Sequence, residues 1–258
     1  MKIIISPAKK MNENTDFFSP NELPKFLNKS RILLETMKSL TYEQAKNVWQ
    51  CNDKLARLNY DRFLQMNLDE KQLAALTPAL MAYEGIQYQY MSPMTFEAKS
   101  WKYVQNHLRI LSGFYGVLAP LDGIVPYRLE MQSRLCTESW KDLYQFWGSQ
   151  LYDSLTAEEG SSPVILNLAS KEYSKCVEDY VKPPTKMITC VFGEKKDNKV
   201  RQKATMAKMA RGEMVRFLAE NQIQDPEGVK SFDRLGFSYS EEDSDNETGI
   251  YTFIKKEG

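Results

Sequence analysis

Polar and basic residues follow two apolar runs of the chain, in positions that suit a ligand site. Ser6 and Lys9 come after the first run, and Asn167 and Ser170 come at the end of a second run, Val164–Leu168. Mixed and parallel sheets bind ligands outside the carboxyl ends of their strands, where helix N-termini offer free N–H groups. If both runs are strands, these four side chains share one edge of a sheet. Ser170 fits equally well a purely structural role as the N-cap of the helix that follows.

A second group of polar residues lies in a segment that two prolines hold. Pro120 and Pro126 restrict the backbone, so Asp122, Arg128 and Glu130 are expected to have fixed positions. Arg128 stands in an otherwise apolar stretch, and a charge in such surroundings is either paired in the interior or lines a cleft. The residues alone leave both alternatives open.

A basic segment at residues 194–216 concentrates positive charge in a chain that is neutral overall. The whole chain has 34 Lys and Arg residues against 34 Asp and Glu residues, whereas this segment has eight against three. Because the net charge is zero, affinity for phosphate has to come from a local patch of this kind. Lys208 and Arg211 are three residues apart, which puts them on one face of the helix predicted at residues 205–220. The segment is either a solvated face or a wall that binds phosphate.

The stretch at about residues 41–66 resembles a helix–hairpin–helix module, which presents backbone N–H groups and nearby basic residues to the DNA backbone. The pattern predicts short helices on either side of a turn at Ala56 and Arg57. Such turns usually contain glycine, which lets the backbone approach a phosphate closely, and this turn contains none. An ordinary helical hairpin explains the spacing equally well.

The absence of their sequence motifs excludes several kinds of catalytic site. The chain lacks a P-loop, the glycine pattern of dinucleotide-binding folds and the nucleophile elbow of hydrolases. His107 is the only histidine, and a structural role is expected for it. The four cysteines show no metal-binding spacing and are expected to be reduced in a cytoplasm, although a peroxide-reactive thiol stays an open alternative.

No metal site and no cofactor are expected. The acidic residues 241–247 include five carboxylates, which suit a hard cation such as iron. A solvated hairpin turn is the simpler interpretation of this stretch. No apolar run approaches the ~20 residues that cross a bilayer, so no membrane association is expected either.

The elements that position these residues alternate unevenly between strand and helix. This alternation predicts a mixed α/β fold, in which helices cover a mixed β-sheet. The chain shows no internal repeat, low-complexity tract or interdomain linker. We therefore expect a single domain at residues 1–258, with an all-helical insertion at about residues 20–105.

Six sequence blocks, distributed in order over nearly the whole chain, resemble the bacterial YaaA family. The blocks are Ile5-Ser6-Pro7-Ala8-Lys9, residues 111–118, residues 126–131, residues 141–147, Asn167-Leu168-Ala169-Ser170 with Tyr173, and Lys208-Met209-Ala210-Arg211-Gly212. The resemblance implies a cytoplasmic peroxide-stress protein that limits damage from intracellular iron and hydrogen peroxide. It also implies a compact mixed α/β fold with a positively charged cleft.

Two sets of site residues are implied by the same resemblance. Contact with double-stranded or structured DNA falls on Lys54, Arg57 and Arg62. The cleft and ligand-binding residues are Ser6, Lys9, Arg128, Asn167, Ser170, Lys208 and Arg211. The alternative to a DNA-binding protein is an enzyme that acts on a small nucleotide-like or phosphorylated anion in this cleft.

Overall fold

The strands and helices are those of a computed structural model, which describes residues 1–13, 19–68, 76–197 and 199–256. Within these residues the strands are β1 (Lys2–Ile5), β2 (Lys10–Met11), β3 (Thr77–Pro78), β4 (Tyr83–Glu84), β5 (Leu108–Ser112), β6 (Gly116–Leu118), β7 (Gly123–Ile124), β8 (Val164–Leu168), β9 (Lys186–Lys196), β10 (Lys199–Arg201), β11 (Phe237–Tyr239) and β12 (Ile250–Lys255). The helices are α1 (Leu27–Lys38), α2 (Tyr42–Trp49), α3 (Asp53–Gln65), α4 (Ala79–Ala82), α5 (Ile86–Met91), α6 (Ala98–His107), α7 (Leu143–Trp147), α8 (Gln150–Thr156), α9 (Lys171–Glu178), α10 (Ala204–Asn221) and α11 (Pro226–Val229).

A mixed sheet of eight strands forms the centre of the described structure. Its order is β11-β12-β9-β8-β1-β5-β6, and β10 pairs with β9 beside this path. The strands from β12 to β5 run parallel, while β6 and β11 add antiparallel edges. Every residue of β1 is buried, as expected for a strand that is covered on both faces. The predicted mixed α/β fold is confirmed.

The order of the strands reverses at β1. The chain leaves β1 and adds β5 on one side, and it returns later to add β8 and β9 on the other side. Open α/β sheets bind ligands in the crevice outside the carboxyl ends of the strands at such a reversal. In this protein the crevice lies between the residues that follow β1 and those that follow β8.

Between β1 and β5, the regular elements among the described residues are helices apart from the two-residue strands β2, β3 and β4. Part of the predicted insertion, at residues 69–75, lies outside the described residues. A threonine followed three residues later by glutamine predicts a capping box, and Thr41 and Gln44 form one at the start of α2, where they exchange side-chain and backbone hydrogen bonds.

The predicted turn at Ala56 and Arg57 is wrong. Both residues lie inside the continuous helix α3, and Ala56 is fully buried. The connection between α2 and α3 is at residues 50–52 instead, where Gln50 adopts a left-handed conformation and Asn52 caps α3 by accepting from the N–H of Leu55. A capped start and a row of good helix formers favour one uninterrupted helix over a break.

The C-terminal part of the chain follows the predictions closely. The long helix α10 covers the predicted range and packs on α5, and β11 and β12 form the predicted antiparallel hairpin. The apolar spacing after Ser139 predicts one helix there. The structure has two short helices instead, α7 and α8, which Gly148 separates with a positive φ of 51°. Across the described ranges, no helix is both long and apolar enough to cross a lipid bilayer.

Candidate functional site

A cavity of about 430 Å³ opens at the carboxyl ends of β1 and β8. We call it the strand-end pocket. Six of the seven predicted cleft residues line it: Ser6, Lys9, Arg128, Ser170, Lys208 and Arg211. The structure thus brings together side chains from four separate parts of the sequence, at the place where the reversal of strand order predicts a ligand site.

Two serines join the two strand ends at this pocket. The hydroxyl of Ser6 accepts a hydrogen bond from the backbone N–H of Ser170 at 2.8 Å and donates one to the hydroxyl of Ser170 at 3.1 Å. Ser170 holds the N-cap position of α9, but its side chain makes no capping hydrogen bond. The structural interpretation of Ser170 as a side-chain N-cap is therefore wrong, and its hydroxyl belongs to the pocket.

Asn167, the seventh predicted residue, lies beneath the pocket instead of lining it. Its side chain is 2% exposed and accepts from the N–H of Ala169 at 2.9 Å, while its amide donates to the hydroxyl of Thr189 at 3.3 Å. These bonds fix the turn that carries Ser170. Asn167 therefore positions the site and is buried too deeply to contact a ligand directly.

Arg128 combines the two alternatives that the sequence left open. It lines the pocket, and its guanidinium is also paired, with Nη2 2.9 Å from Oε1 of Glu130. The ammonium of Lys9 lies 3.3 Å from the same carboxylate oxygen. The backbone oxygen of Arg128 accepts from the indole N–H of Trp49 at 2.5 Å, which attaches the end of α2 to this wall of the pocket.

Helix α10 supplies two cations that, unlike Arg128 and Lys9, are not paired with a carboxylate among the described residues. Lys208 is exposed and Arg211 is half-buried, and neither makes an ion pair with any carboxylate in the described part of the chain. Burial lowers the pKa of the Arg211 guanidinium, yet an arginine keeps its charge in proteins. A cation that is partly desolvated and has no counter-ion favours the arrival of an anion.

The predicted basic wall at residues 194–216 is smaller than its charge count suggests. Four of its eight cations have carboxylate partners: Lys195 with Glu242 and Asp243, Arg201 with Asp197, Lys203 with Glu194, and Arg216 with Glu220. Two others, Lys208 and Arg211, line the pocket. The last two, Lys196 and Lys199, are exposed outside the pocket lining, so only part of the charge of the segment is available at the pocket.

Hydrogen-bond donors without acceptors cluster at the same place. Nε of Arg128, Nε of Arg211 and Nε2 of Gln87 are buried and have no hydrogen-bond partner among the described residues. Gln87 lines the pocket from α5 and is only 7% exposed. Oε1 of Glu130 is likewise buried without a hydrogen-bond partner, although cations lie close to it. Buried polar atoms in native proteins are nearly always hydrogen-bonded, so three unmet donors against one unmet acceptor favour a ligand with more acceptors than donors.

Three carboxylates also line the pocket, and two of them are occupied by pocket cations. Glu84 pairs with Lys10, which lowers the pKa of its carboxyl, and Glu130 pairs with Arg128. Burial raises the pKa of Glu172, which accepts from the N–H of Gln132 at 3.2 Å. The lining contains five Lys and Arg residues against these three acids, so it has a surplus of two positive charges.

The predicted DNA-contacting residues lie apart from the pocket lining, on α3. Lys54 and Arg57 are exposed, whereas Arg62 is half-buried and its guanidinium lies 3.5 Å from the side-chain oxygen of Asn59. The guanidinium of Arg57 stacks on the ring of Tyr42, 3.7 Å from the ring centroid. This contact preorganises Arg57 and leaves its edge open to solvent.

The residues considered for metal binding have structural partners. The ring of His107 contacts Tyr103, and its Nδ1 lies 2.9 Å from the backbone oxygen of Met1. In the acidic stretch, Asp243 pairs with Lys195, and Asp245 accepts from backbone N–H groups of the turn. Among the described residues, no group of three or more His, Cys, Asp or Glu side chains is arranged to hold a metal ion.

Comparison with known proteins identifies close relatives. A family model described as peroxide stress protein YaaA matches residues 1–243. A protein of Lachnoclostridium phytofermentans named UPF0246 protein is 54% identical over 257 residues, covering 100% of this chain and 97% of the relative. UPF0246 proteins of Desulfitobacterium hafniense and Agathobacter rectalis are 50% and 51% identical, and each match covers 99% of this chain with 98% and 99% of the relative.

Proposed function

The chain belongs to the peroxide stress protein YaaA family, and from this premise we propose that it binds DNA during peroxide stress, in the cytoplasm, and so limits the damage that intracellular iron and hydrogen peroxide cause. The observation that supports the proposal most is the strand-end pocket with its unmet donors and unpaired cations. A nucleic acid offers phosphate oxygens, which are both anions and hydrogen-bond acceptors.

Helix α3 gives the proposal a second surface. Lys54 and Arg57 are exposed there, and neither is paired with a carboxylate in the described structure. Trp49, at the end of the preceding helix α2, connects α2 and α3 to the pocket through its hydrogen bond to the backbone oxygen of Arg128. In the proposal, α3 contacts the DNA backbone without reading bases, because long basic side chains on a helix surface meet phosphates first.

The test measures the affinity for a labelled DNA duplex over a range of salt concentrations. The logarithm of the binding constant falls with the logarithm of salt, with a slope of about −0.9 for each phosphate that a protein cation neutralises. We expect Arg57→Ala and Arg211→Ala each to reduce affinity and to lower the slope by about 0.9. Lys99→Ala is the matched control, since Lys99 is an exposed helical lysine 3.6 Å from Glu97. Unchanged affinity and slope in both arginine variants would overturn the proposal.

A small nucleotide-like or phosphorylated ligand is the second candidate for the same pocket. The cavity of about 430 Å³ favours it, because pockets for small molecules measure about 300–1,000 Å³. If the protein is an enzyme for such a ligand, a nucleotide should raise its melting temperature, and Arg128→Ala should remove this shift. No shift with any nucleotide, together with tight duplex binding, would reject this candidate.

A further inference from the structure

The strand-end pocket is too small for the double helix that the proposed function assigns to this protein. Its volume is about 430 Å³, whereas the major groove of B-DNA alone is about 12 Å wide and 8.5 Å deep. A duplex that lies on the surface cannot bring an internal base pair inside. What can enter a pocket of this size is one nucleotide at a time. The terminal nucleotide of a DNA strand enters by losing one base pair and one stacking contact, whereas an internal nucleotide has to be flipped out from between two neighbours.

The charge of the pocket matches a phosphate at the end of a DNA strand better than a phosphate within the DNA strand. An internal phosphodiester carries one negative charge, whereas a phosphate monoester carries about −1.5 to −2 near pH 7. The lining has a surplus of two positive charges, since Glu84 and Glu130 already neutralise Lys10 and Arg128 in part. The two cations left without partners are Lys208 and Arg211.

The donors of the pocket suit the additional oxygens of a monoester. The unmet donors Arg211 Nε and Gln87 Nε2 belong to α10 and α5, and Ser170, at the N-terminus of α9, lines the same pocket. The positive end of the α9 dipole adds to the attraction for an anion. Gln87 is more than nine-tenths buried, so bulk water does not reach its side-chain amide to accept the hydrogen bond that the protein leaves unmade.

The remaining wall is apolar. Pro7, Ile86 and Leu129 line the pocket beside the polar groups, and the ring of Tyr88 is held there by its hydroxyl, which donates to the backbone oxygen of Ser6 at 2.9 Å. An inorganic phosphate ion has no apolar surface that could pack against such a wall. A sugar and a base attached to the phosphate would cover it and remove apolar surface from water.

From these observations we propose that the strand-end pocket receives the phosphorylated terminal nucleotide of a DNA strand. The proposal rests on the DNA binding proposed above and adds its preferred substrate, a DNA end with a phosphate monoester. Lys208, Arg211 and Gln87 bind the phosphate, and the apolar wall contacts the nucleoside. Helix α3 contacts the adjoining duplex.

The experiment compares three internally labelled blunt duplexes of one sequence, with 5′-phosphate, 3′-phosphate or only hydroxyl ends, by fluorescence anisotropy with the full chain. We expect one phosphorylated duplex to bind about tenfold more tightly than the hydroxyl-ended duplex. Arg211→Gln and Lys208→Gln should each reduce this preference toward one. Lys208 is exposed, so its variant keeps the test valid if Arg211→Gln fails to fold. Arg201→Gln is the control, because Arg201 pairs with Asp197 outside the pocket lining, and it should keep the preference.

Two results would overturn the proposal while leaving DNA binding intact. One is equal affinity for all three duplexes, and the other is an end preference that both pocket variants retain. Titration with dAMP separates the sources of the phosphate: binding of dAMP as tight as that of the phosphorylated duplex would assign the pocket to a free nucleotide and overturn the strand-end proposal. Failure of all three duplexes to bind would instead reject the proposed function itself.

Discussion

Gly212 of α10 lies directly against the backbone oxygen of Gln87 in α5. A Cβ atom placed on Gly212 would be 2.1 Å from this oxygen, a distance that real Cβ atoms essentially never show. The helix that carries Lys208 and Arg211 therefore packs at backbone distance on the helix that carries Gln87. The spacing between these two walls of the strand-end pocket depends on the absence of a side chain at residue 212.

Gly212→Ala should destabilise the protein and open the pocket. Overpacking costs about 1–3 kcal/mol, occasionally more, and the better helix propensity of alanine offsets about 1 kcal/mol. Urea unfolding should show a net loss of stability, and the affinity for the phosphorylated duplex should fall. Gly160→Ala is the matched control, because a Cβ there meets nothing within 4 Å. Equal stability of the two variants would contradict the packing described here.

Ser6 should matter more for stability than Ser170. Ser6→Ala leaves the half-buried N–H of Ser170 without its acceptor. A fully buried unsatisfied donor costs about 1–3 kcal/mol, so we expect a loss at the low end of this range. Ser170→Ala removes only one acceptor of the Ser6 hydroxyl, so we expect a loss of less than about 1 kcal/mol. Thermal unfolding of both variants measures the order. A larger loss in Ser170→Ala would restore the side-chain N-cap role that the sequence suggested.

Asp122 should make stability fall as pH rises. Burial raises the pKa of its carboxyl to about 7, whereas an unfolded aspartate has a pKa of about 3.9. The folded state thus holds this proton more tightly, and the contribution of Asp122 to the free energy of unfolding decreases between about pH 4 and pH 7. Asp122→Asn removes the titration and keeps an acceptor for the N–H of Ala119.

Urea unfolding across this pH range should show the Asn variant gaining stability relative to the parent chain as pH rises, with a constant difference above about pH 7. Taking the difference between the two proteins removes the contributions of titrating groups that do not interact with Asp122. Glu158 is coupled to Asp122, because its negative charge helps to raise the pKa of the Asp122 carboxyl, so its change is part of the measured difference. A difference that does not change with pH would show that Asp122 is already ionised in the folded protein.

The cysteines should differ sharply in reactivity. Cys136 is exposed and Cys51 is half-buried, whereas Cys176 and Cys190 are buried. Burial raises the pKa of Cys176 to about 12 and raises that of Cys190 as well, so both stay thiols and not reactive thiolates. Labelling of the native protein with a thiol reagent, followed by peptide mass spectrometry, should modify Cys136 first and Cys51 more slowly. Rapid modification of Cys176 or Cys190 before unfolding would contradict this order.

The sequence predicted the pocket because its residues obey a rule that is local at each point. Apolar runs mark β1 and β8, polar residues follow them, and the carboxyl ends of parallel strands meet at one edge of the sheet. Ser6 and Ser170 are therefore predictable as neighbours without knowledge of the packing. Helical periodicity places Lys208 and Arg211 on one face of α10, but their place at the pocket was implied only by the family resemblance.

Gln87 and the ion pairs of the basic segment were not predictable in this way. Gln87 reaches the pocket because α5 packs on α10, and no local pattern in the sequence announces a contact between those helices. Lys195 is not available to a ligand because it pairs with the carboxylates of Glu242 and Asp243, which are almost fifty residues further along the chain. A count of charges within one segment does not include the ion-pair partners that tertiary folding brings from other parts of the chain.

The two serines that join the strand ends are 164 residues apart in the chain. A ribosome must therefore synthesise most of the polypeptide before the first strand can meet the second half of its pocket, and the helix with Lys208 and Arg211 emerges later still. A product cut short by a premature stop codon ahead of α10 would contain β1 and Ser6 and yet lack Lys208 and Arg211, the two pocket cations that have no carboxylate partner among the described residues. The site matures as one of the last events of translation.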